Sequence, residues 1–319
     1  MKVFLTGGTG FVGAAVLNRL VELEHVPIVV RRLNSKRINE FEEMIIETID
    51  PKTDWKDSLS DCEVVIHCAA RVHIMTDSSA NPLDEFREVN TYGTLNLAQQ
   101  AAEAGAKRFI YISSIKVSGE STELGKPFKS GDSFIPTDPY GLSKYEAEVG
   151  LRKIASRTDM EVVIIRPPLV YGSGVKANFA SLMKWVNKGV LLPLGGIKQN
   201  KRSLVAIENL VDLIVTCIDQ PNAANQTFLV SDDDDISTTG LLQNMACALN
   251  MPSRLIPIPA SWFELASKLI GKPAIAQRLC GSLQVDISKT KELLGWKPPY
   301  SSAECMKKTA DAFLENLNK

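Results

Sequence analysis

The chain has little from which to build a metal centre or a disulfide framework. Its six cysteines, at positions 62, 68, 217, 247, 280 and 305, are scattered and form no Cys-x-x-Cys pair. Only three histidines accompany them, which argues against a structural zinc site, so no metal is expected. Scattered thiols of this kind fit a reducing compartment, and a cytoplasmic location is expected. Net charge is lacking too, since 36 basic and 37 acidic residues leave −1. Neither nucleic acid nor an anionic membrane is then the expected partner. No signal peptide is expected, because Lys2 is followed by four residues, not a long apolar core, before a glycine turn. The most membrane-like stretch, Ile256 to Ala276, is broken by Glu264, Lys268, Lys272 and three prolines, so it reads as amphipathic and not spanning. Repeats and low-complexity segments are missing as well, and Asp232 to Asp235 reads as an acidic loop.

What remains is an ordinary globular composition. At 319 residues and 35.0 kDa, with 45% hydrophobic and 23% charged residues, the chain suits one large α/β domain, alone or with a smaller appendage. Met1 to Leu5 is a short apolar run of strand formers, followed by Thr6-Gly7-Gly8-Thr9-Gly10-Phe11-Val12-Gly13. From Phe11 onward, Val12, Ala15, Val16, Leu20 and Leu23 recur at helical spacing. Strand, glycine turn and helix in this order begin a dinucleotide-binding βαβ unit. Gly7 permits the tight turn, Gly10 lets the backbone approach a pyrophosphate, and Gly13 lets the helix pack on its strand. Phe11 and Val12 open that helix, whose N-terminal N–H groups and partial positive charge suit phosphates. The spacing is Gly-x-x-Gly-x-x-Gly, not Gly-x-Gly-x-x-Gly, and a plain tight turn is the plainer alternative.

Val26 to Val30 reads as the second strand and ends in Arg31-Arg32. An acidic residue there would bind the ribose 2′-OH of NAD, whereas arginine accommodates the 2′-phosphate of NADP. Arg31, helped by Arg32 and Lys36, therefore favours NADP(H), with NAD(H) left open and solvated surface cations as the alternative. Met44 to Ile49 is a third strand; Asp50 at its end can reach the adenine or serve as a loop carboxylate. Glu63 to His67 is a fourth strand leading to Cys68-Ala69-Ala70, where small Ala69 and Ala70 let backbone and cofactor come close. His67 and His73 read as structural or rim histidines before catalytic ones. A helical pattern covers Asp84 to Ala104 and includes Asn90. Arg108 to Ser113 is the fifth strand, delivering Ser113 and Ser114 to its carboxyl end, where open parallel sheets bind ligands.

Asp138-Pro139 suits a helix start, and Tyr140 and Lys144 fall one turn apart on one face. A free tyrosine, with a pKa near 10, is a poor acid–base group at neutral pH. A neighbouring ammonium favours the phenolate, and a serine hydroxyl beside it can hold a substrate oxygen. In isolation Tyr-x-x-x-Lys fits an amphipathic surface helix equally well.

Together, the glycine turn, Ser113-Ser114 and Tyr140-x-x-x-Lys144 resemble the extended short-chain dehydrogenase/reductases, in their nucleotide-sugar epimerase/dehydratase/reductase branch. The resemblance spans nearly the whole chain. It includes Val65 to Ala70, Val89-Asn90-Thr91-Tyr92-Gly93-Thr94 and Arg166-Pro167-Pro168-Leu169-Val170-Tyr171-Gly172. Further on come Arg202 to Val205, Asn209-Leu210-Val211-Asp212 and Leu294-Gly295-Trp296-Lys297-Pro298. It implies an α/β fold, a Rossmann-type doubly wound parallel sheet with a smaller C-terminal substrate-binding region. Residues 1–165 would mainly bind NAD(P), and 166–319 would mainly bind substrate, with segments returning to the sheet. It implies Ser114, Tyr140 and Lys144 as catalytic residues. Tyr140 would exchange a proton with the sugar oxygen, Ser114 would bond that oxygen, and Lys144 would bind the nicotinamide ribose and tune the tyrosine. Asn90 and Pro167 fall to the cofactor by the same resemblance. A UDP-sugar would be the substrate and a homodimer, paired through the helices 84–104 and 140–155, the assembly.

The residues after Ser114 bear on the reaction. The family's 4,6-dehydratases carry Thr-Asp-Glu where this chain has Ser114-Ile115-Lys116, and isoleucine cannot transfer a proton. The 4-epimerases usually continue Ala-Thr-Val-Tyr-Gly, unlike Ile115-Lys116-Val117-Ser118-Gly119, and often carry asparagine where Pro167-Pro168 stands. With Arg31, and with Ala69 to Met75 resembling reductases of this kind, these departures favour NADPH-dependent reduction of a UDP-4-keto-(6-deoxy)-N-acetylhexosamine for surface polysaccharide. A UDP-hexose 4-epimerase, acting on UDP-glucose or UDP-GlcNAc, is the alternative. A ketone or hydroxysteroid reductase and a non-enzymatic cofactor sensor stand behind it. Arg202 and Arg278 can clamp a diphosphate bidentately, and Asn178 and Phe179 can line the base pocket. A surface salt bridge for Arg278 and helix packing for Phe179 are the alternatives.

Overall fold

The computed structural model describes residues 1–35, 41–72, 81–269, 271 and 273–317. Among them run nine strands: β1 Lys2–Thr6, β2 Val26–Arg32, β3 Glu42–Ile46, β4 Val64–His67, β5 Arg108–Ile112, β6 Glu161–Arg166, β7 Leu169–Tyr171, β8 Leu204–Ala206 and β9 Thr227–Leu229. The helices of the first half are α1 Phe11–Glu22, α2 Lys56–Leu59, α3 Pro82–Arg87, α4 Thr94–Glu103 and α5 Pro139–Ala155. Those of the second half are α6 Ala177–Asn187, α7 Ile207–Asp219, α8 Thr238–Ala248, α9 Ala260–Leu269, α10 Pro273–Cys280, α11 Ser288–Leu294 and α12 Ser302–Leu317.

Seven strands form one parallel sheet in the order β3-β2-β1-β4-β5-β6-β9, the doubly wound arrangement expected. Strands buried on both faces read as continuous apolar runs, as in Val3-Phe4-Leu5 and Val64-Val65-Ile66. Alternate residues then feed two separate cores. Val3, Leu5, Ile66 and Ile110 face α1 and α7, whereas Phe4, Val65, Phe109 and Tyr111 face α4 and α5. A third core unites Tyr171, Phe179 and Met183 with Leu242, Met245 and Met306. The pair β7-β8 stands apart from the main sheet, and β9 returns to it beside β6.

The order reverses between β1 and β4, so the carboxyl ends of these strands flank the crevice where such sheets receive ligands. The glycine turn, Arg31-Arg32, Ala69-Ala70, Ser113-Ser114 and Pro167 all emerge at that edge. The helical pattern over 84–104 is continuous but not uniform, since a π-helical turn over Glu88–Gly93 joins α3 to α4. One late motif is structural: Trp296 Nε1 donates to Asp212 Oδ1 at 2.8 Å, tying the segment after α11 to α7. The acidic run is not a free loop. Asp232 is buried and accepts from Tyr171, Ala206 and Asn209, while Asp233, Asp234 and Asp235 accept from Lys291, Ser302 and Ser203.

Candidate active site

Gly7 takes a left-handed φ of +74°, and a Cβ there would stand 2.7 Å from the Ala69 nitrogen. The turn therefore closes against the end of β4. A Cβ on Gly13 would fall 2.1 Å from the Gly7 carbonyl oxygen, so α1 can approach β1 only with glycine at that position. Gly10 N–H donates to Gly7 O at 2.8 Å, and Gly10 caps α1 with no side-chain bond. The first turn, including Phe11 and Val12, thus has no side-chain cap from Gly10, and such a helix N-terminus favours anionic oxygens.

Other residues expected at the cofactor fare differently. Ala69 N–H donates to Thr6 Oγ1 at 3.3 Å, fixing the Ala69-Ala70 segment against the turn. Arg31 is only 8% exposed; its Nε donates to Glu43 Oε2 at 3.0 Å, and Nη1 donates to the carbonyls of Arg32 and Leu33. Glu43 lies on β3, paired to β2. The arginine expected to greet a 2′-phosphate is instead held in an ion pair between neighbouring strands. Arg32 is exposed and lines a surface recess with Asn34, Ser35 and Glu47. Lys36 lies outside the described residues. Asp50 takes the loop role: its Oδ1 accepts from the backbone N–H groups of Lys52 and Thr53 and from Thr53 Oγ1. That oxygen caps a turn. Asn90, on the π-helical turn, exchanges two bonds with the Arg71 backbone and donates to Ser143 Oγ at 3.1 Å. It fixes the chain after β4 against α5. Pro167 is buried, and its carbonyl accepts from Ile115 N–H at 2.9 Å.

Asp138 caps α5 as expected, its Oδ1 accepting from Gly141 N–H at 3.1 Å. Tyr140 therefore sits in the first turn, its ring edge-on to Phe86 at 5.9 Å. Ser114 caps the short helical turn 115–117, its hydroxyl accepting from Lys116 N–H at 3.3 Å, and lies near the Tyr140 phenol. Burial pushes that phenol up to about 12, and the nearby Ser114 hydroxyl acts in the opposite direction. Lys144 is buried; its Nζ donates to Ile112 O at 3.0 Å and lies 4.5 Å above the Tyr111 ring. Burial brings its ammonium down to about 7, opposed by Cys68 and Glu148. Ser114 lies near Tyr140, while Lys144 is seated on Tyr111 and shows no hydrogen bond to the Tyr140 phenol. The tuning role given to Lys144 is thus not expressed as a direct contact.

Of the substrate residues, Phe179 belongs to packing: it is buried in the third core and stacks on Tyr171 at 5.4 Å. Asn178, beside it on α6, is exposed. Arg202 and Arg278 do meet, but not as two guanidinium groups around one space. Arg202 Nη1 donates to the carbonyls of Arg278 and Gly281 at the end of α10, while the Arg278 side chain is exposed. A helix C-terminus attracts such a cation. His67 is structural, as expected, lying between Thr6 Oγ1 at 2.6 Å and Thr94 Oγ1 at 2.9 Å. Burial drives its pKa down to about 3. His73, Ile74 and Met75 lie outside the described residues.

Of the neighbours of these groups, Tyr111 and Glu148 escape a reading by motif, whereas Arg166 opens the motif Arg166 to Gly172. Tyr111 underlies Lys144, and Glu148 and Arg166 form a fully buried pair at the back of the site. The only signal for Glu148 is its spacing of one further turn beyond Tyr140 and Lys144.

Comparison with known proteins accords with this geometry. The model of the NAD dependent epimerase/dehydratase family matches residues 3–231. A UDP-glucose 4-epimerase of Vibrio cholerae is 53% identical over 320 aligned residues, covering 100% of this chain and 97% of that protein. At 26% identity stands an N-acetyl-α-D-glucosaminyl-diphospho-undecaprenol 4-epimerase of Escherichia coli O157:H7, over 97% of this chain and 94% of its own. Among solved structures, the UDP-glucose 4-epimerase of Thermotoga maritima with UDP-glucose superposes with a TM-score of 0.80 at 23% identity, covering 99% of this chain and 100% of its own. The UDP-glucuronic acid 4-epimerase of Bacillus cereus with NAD gives 0.79 at 19%, with full coverage of both chains. The chain belongs to the NAD dependent epimerase/dehydratase family and is an NAD(P)-dependent enzyme of the extended short-chain dehydrogenase/reductase type.

Proposed function

We propose that this family member inverts C4 of a UDP-hexose and works with NAD. The observation that carries the reading is the end-to-end likeness to the Vibrio cholerae 4-epimerase, despite the departures at Ile115-Lys116 and Pro167-Pro168. The structure supports it through Arg31. A guanidinium engaged by Glu43 is poorly placed to recruit a 2′-phosphate, which removes the main argument for NADPH-dependent reduction.

When bound, the dinucleotide supplies the acceptor and donor for the C4 hydride. The turn Gly7 to Gly13 would hold its diphosphate, and Lys144 its nicotinamide ribose. Tyr140 removes the proton from the C4 hydroxyl oxygen and later returns it. Ser114, close to the phenol, supplies a hydrogen bond to that oxygen. Lys144, whose ordinary pKa near 10.5 falls to about 7, is partly charged at neutral pH, and that charge favours the phenolate. Near 12 the unassisted phenol would remain protonated, so this help is needed. We infer also that two copies pair through α4 and α5, which sedimentation velocity tests: a monomer mass would defeat it.

The function is tested by incubation with UDP-glucose, UDP-galactose and UDP-GlcNAc, products being resolved by chromatography and NAD(P)H followed by absorbance. Interconversion of C4 epimers without net NAD(P)H consumption is expected. Stoichiometric NADPH oxidation on a UDP-4-keto sugar, with no interconversion, would restore the reductase.

A further inference from the structure

Behind the site lies a charged cluster built around a buried carboxylate. Glu148 is 0% exposed, and Arg166 meets it side-on: Nε donates to Oε1 at 2.9 Å and Nη2 to Oε2 at 2.6 Å. Ser113 Oγ donates to Glu148 Oε1 at 2.7 Å, and Arg166 Nη1 donates to Ser118 Oγ at 3.1 Å. Arg152 Nη2 adds a bond to Glu148 Oε2 at 2.8 Å. These contacts join the carboxyl ends of β5 and β6, the turn after Ser114 and the middle of α5.

The cluster encloses the catalytic groups from both sides. Ser114 lies between Ser113, bonded to Glu148, and Ile115, whose N–H is held by Pro167 O just beyond Arg166. Lys144 is one turn from Glu148 on α5 and donates to Ile112 O, two residues before Ser114. A buried ion pair gives little net stability for the desolvation it requires, and its better-attested use is to fix one arrangement. We propose, on the footing of the function above, that Glu148 and Arg166, with Ser113, are positioning residues that fix Ser114 and the charged form of Lys144.

The electrostatic side follows from what faces each group. Lys144 is faced by His67 and Cys68 from β4 and its end, Tyr111 from β5, and Glu148 from α5. Glu148 is faced by Arg166 from β6 and Arg152 from α5, with Lys289 of α11 beyond those two arginines. Burial pushes Glu148 up, but the bonds and charge of Arg166, with Ser113 and Arg152, hold it below the usual carboxylate range. It is therefore an anion one turn from Lys144 and opposes the loss of the ammonium.

The test uses Ser113→Ala, Glu148→Gln and Glu148→Asp in the full chain. Lys144 is titrated by NMR with ¹³Cε-lysine labelling, and kcat, KM and melting temperature are measured beside it. Glu148→Gln removes the anion and leaves Arg166 uncompensated, so the Lys144 midpoint falls by about one pH unit. In the same variant kcat falls roughly tenfold or more, with KM for the UDP-sugar little changed. Glu148→Asp keeps the charge and restores the midpoint while kcat stays low. Ser113→Ala lowers kcat with the midpoint nearly intact. Should Glu148→Gln not fold, Ser113→Ala, lacking only one hydroxyl, and Glu148→Asp carry the two readings. Variants that lose melting temperature yet keep wild-type kcat and midpoint would overturn the proposal. A wild-type protein that turns over no UDP-hexose would defeat the functional reading instead, and the lysine titration would still decide the charge effect.

Discussion

Tyr140 is the residue on which the proposed chemistry turns, because its phenol brings a transferable proton beside the Ser114 hydroxyl at the start of α5. Tyr140→Phe removes that proton and little volume. Its kcat should fall by about 10²–10⁴, the usual worth of a general acid–base group, with dinucleotide affinity retained. A variant within tenfold of wild type would remove Tyr140 from the reaction. Arg31 teaches the opposite lesson. Its place at the end of β2 was legible, but its partner Glu43 was not, because the pairing depends on the parallel register of β2 with β3. In Glu43→Gln the guanidinium loses its anionic partner, so affinity for NADP relative to NAD should rise roughly tenfold, the scale of one charge-assisted hydrogen bond. An unchanged ratio, read by isothermal titration, would show that Arg31 does not face that site.

Elements defined by local pattern were legible in advance: β1, α1, β4, β5 and the cap at Asp138 each carry their signal within a few residues. The π-helical turn over Glu88–Gly93 was not, because Asn90 and Gly93 fit a continuous amphipathic helix until the contacts with Arg71 and Ser143 are known. The same holds for Phe179 and Arg202, whose apolar or basic character suits either a pocket or a core: Phe179 joins a core that includes Leu242 and Met306, and Arg202 bonds Gly281 O, both remote in sequence. For the glycine turn the element is decisive. Gly13→Ala would place a methyl group against the Gly7 carbonyl, forcing α1 from β1 at a cost of about 1–3 kcal/mol. A lower melting temperature and weakened NAD binding are expected together. An alanine variant with both intact would mean that close packing of α1 is dispensable.

Across the whole molecule, the parallel sheet and its reversal between β1 and β4 gather groups from five strand ends into one crevice. Holding the crevice floor dry has a consequence for stability. His67 is neutral and buried, with its pKa driven down to about 3, against about 6.5 in an unfolded chain. Below pH 6.5 the unfolded state takes up a proton that the folded state refuses. Stability therefore falls as pH drops from about 6.5 toward 3, by up to about 1.4 kcal/mol per pH unit from this group. Denaturant unfolding across that window should show a shallower dependence in His67→Gln than in wild type. Equal slopes would mean that His67 is protonated in the fold.

The central claim is that the C4 hydride leaves and returns to the same sugar, with Tyr140 handling the proton. It is tested most directly with a UDP-hexose deuterated at C4, followed by mass spectrometry and NMR of the epimer formed. The account predicts that deuterium stays at C4 of the product, with no net change in NAD(P)H. Loss of the label, or a product formed only as added NADPH is oxidised, would contradict it.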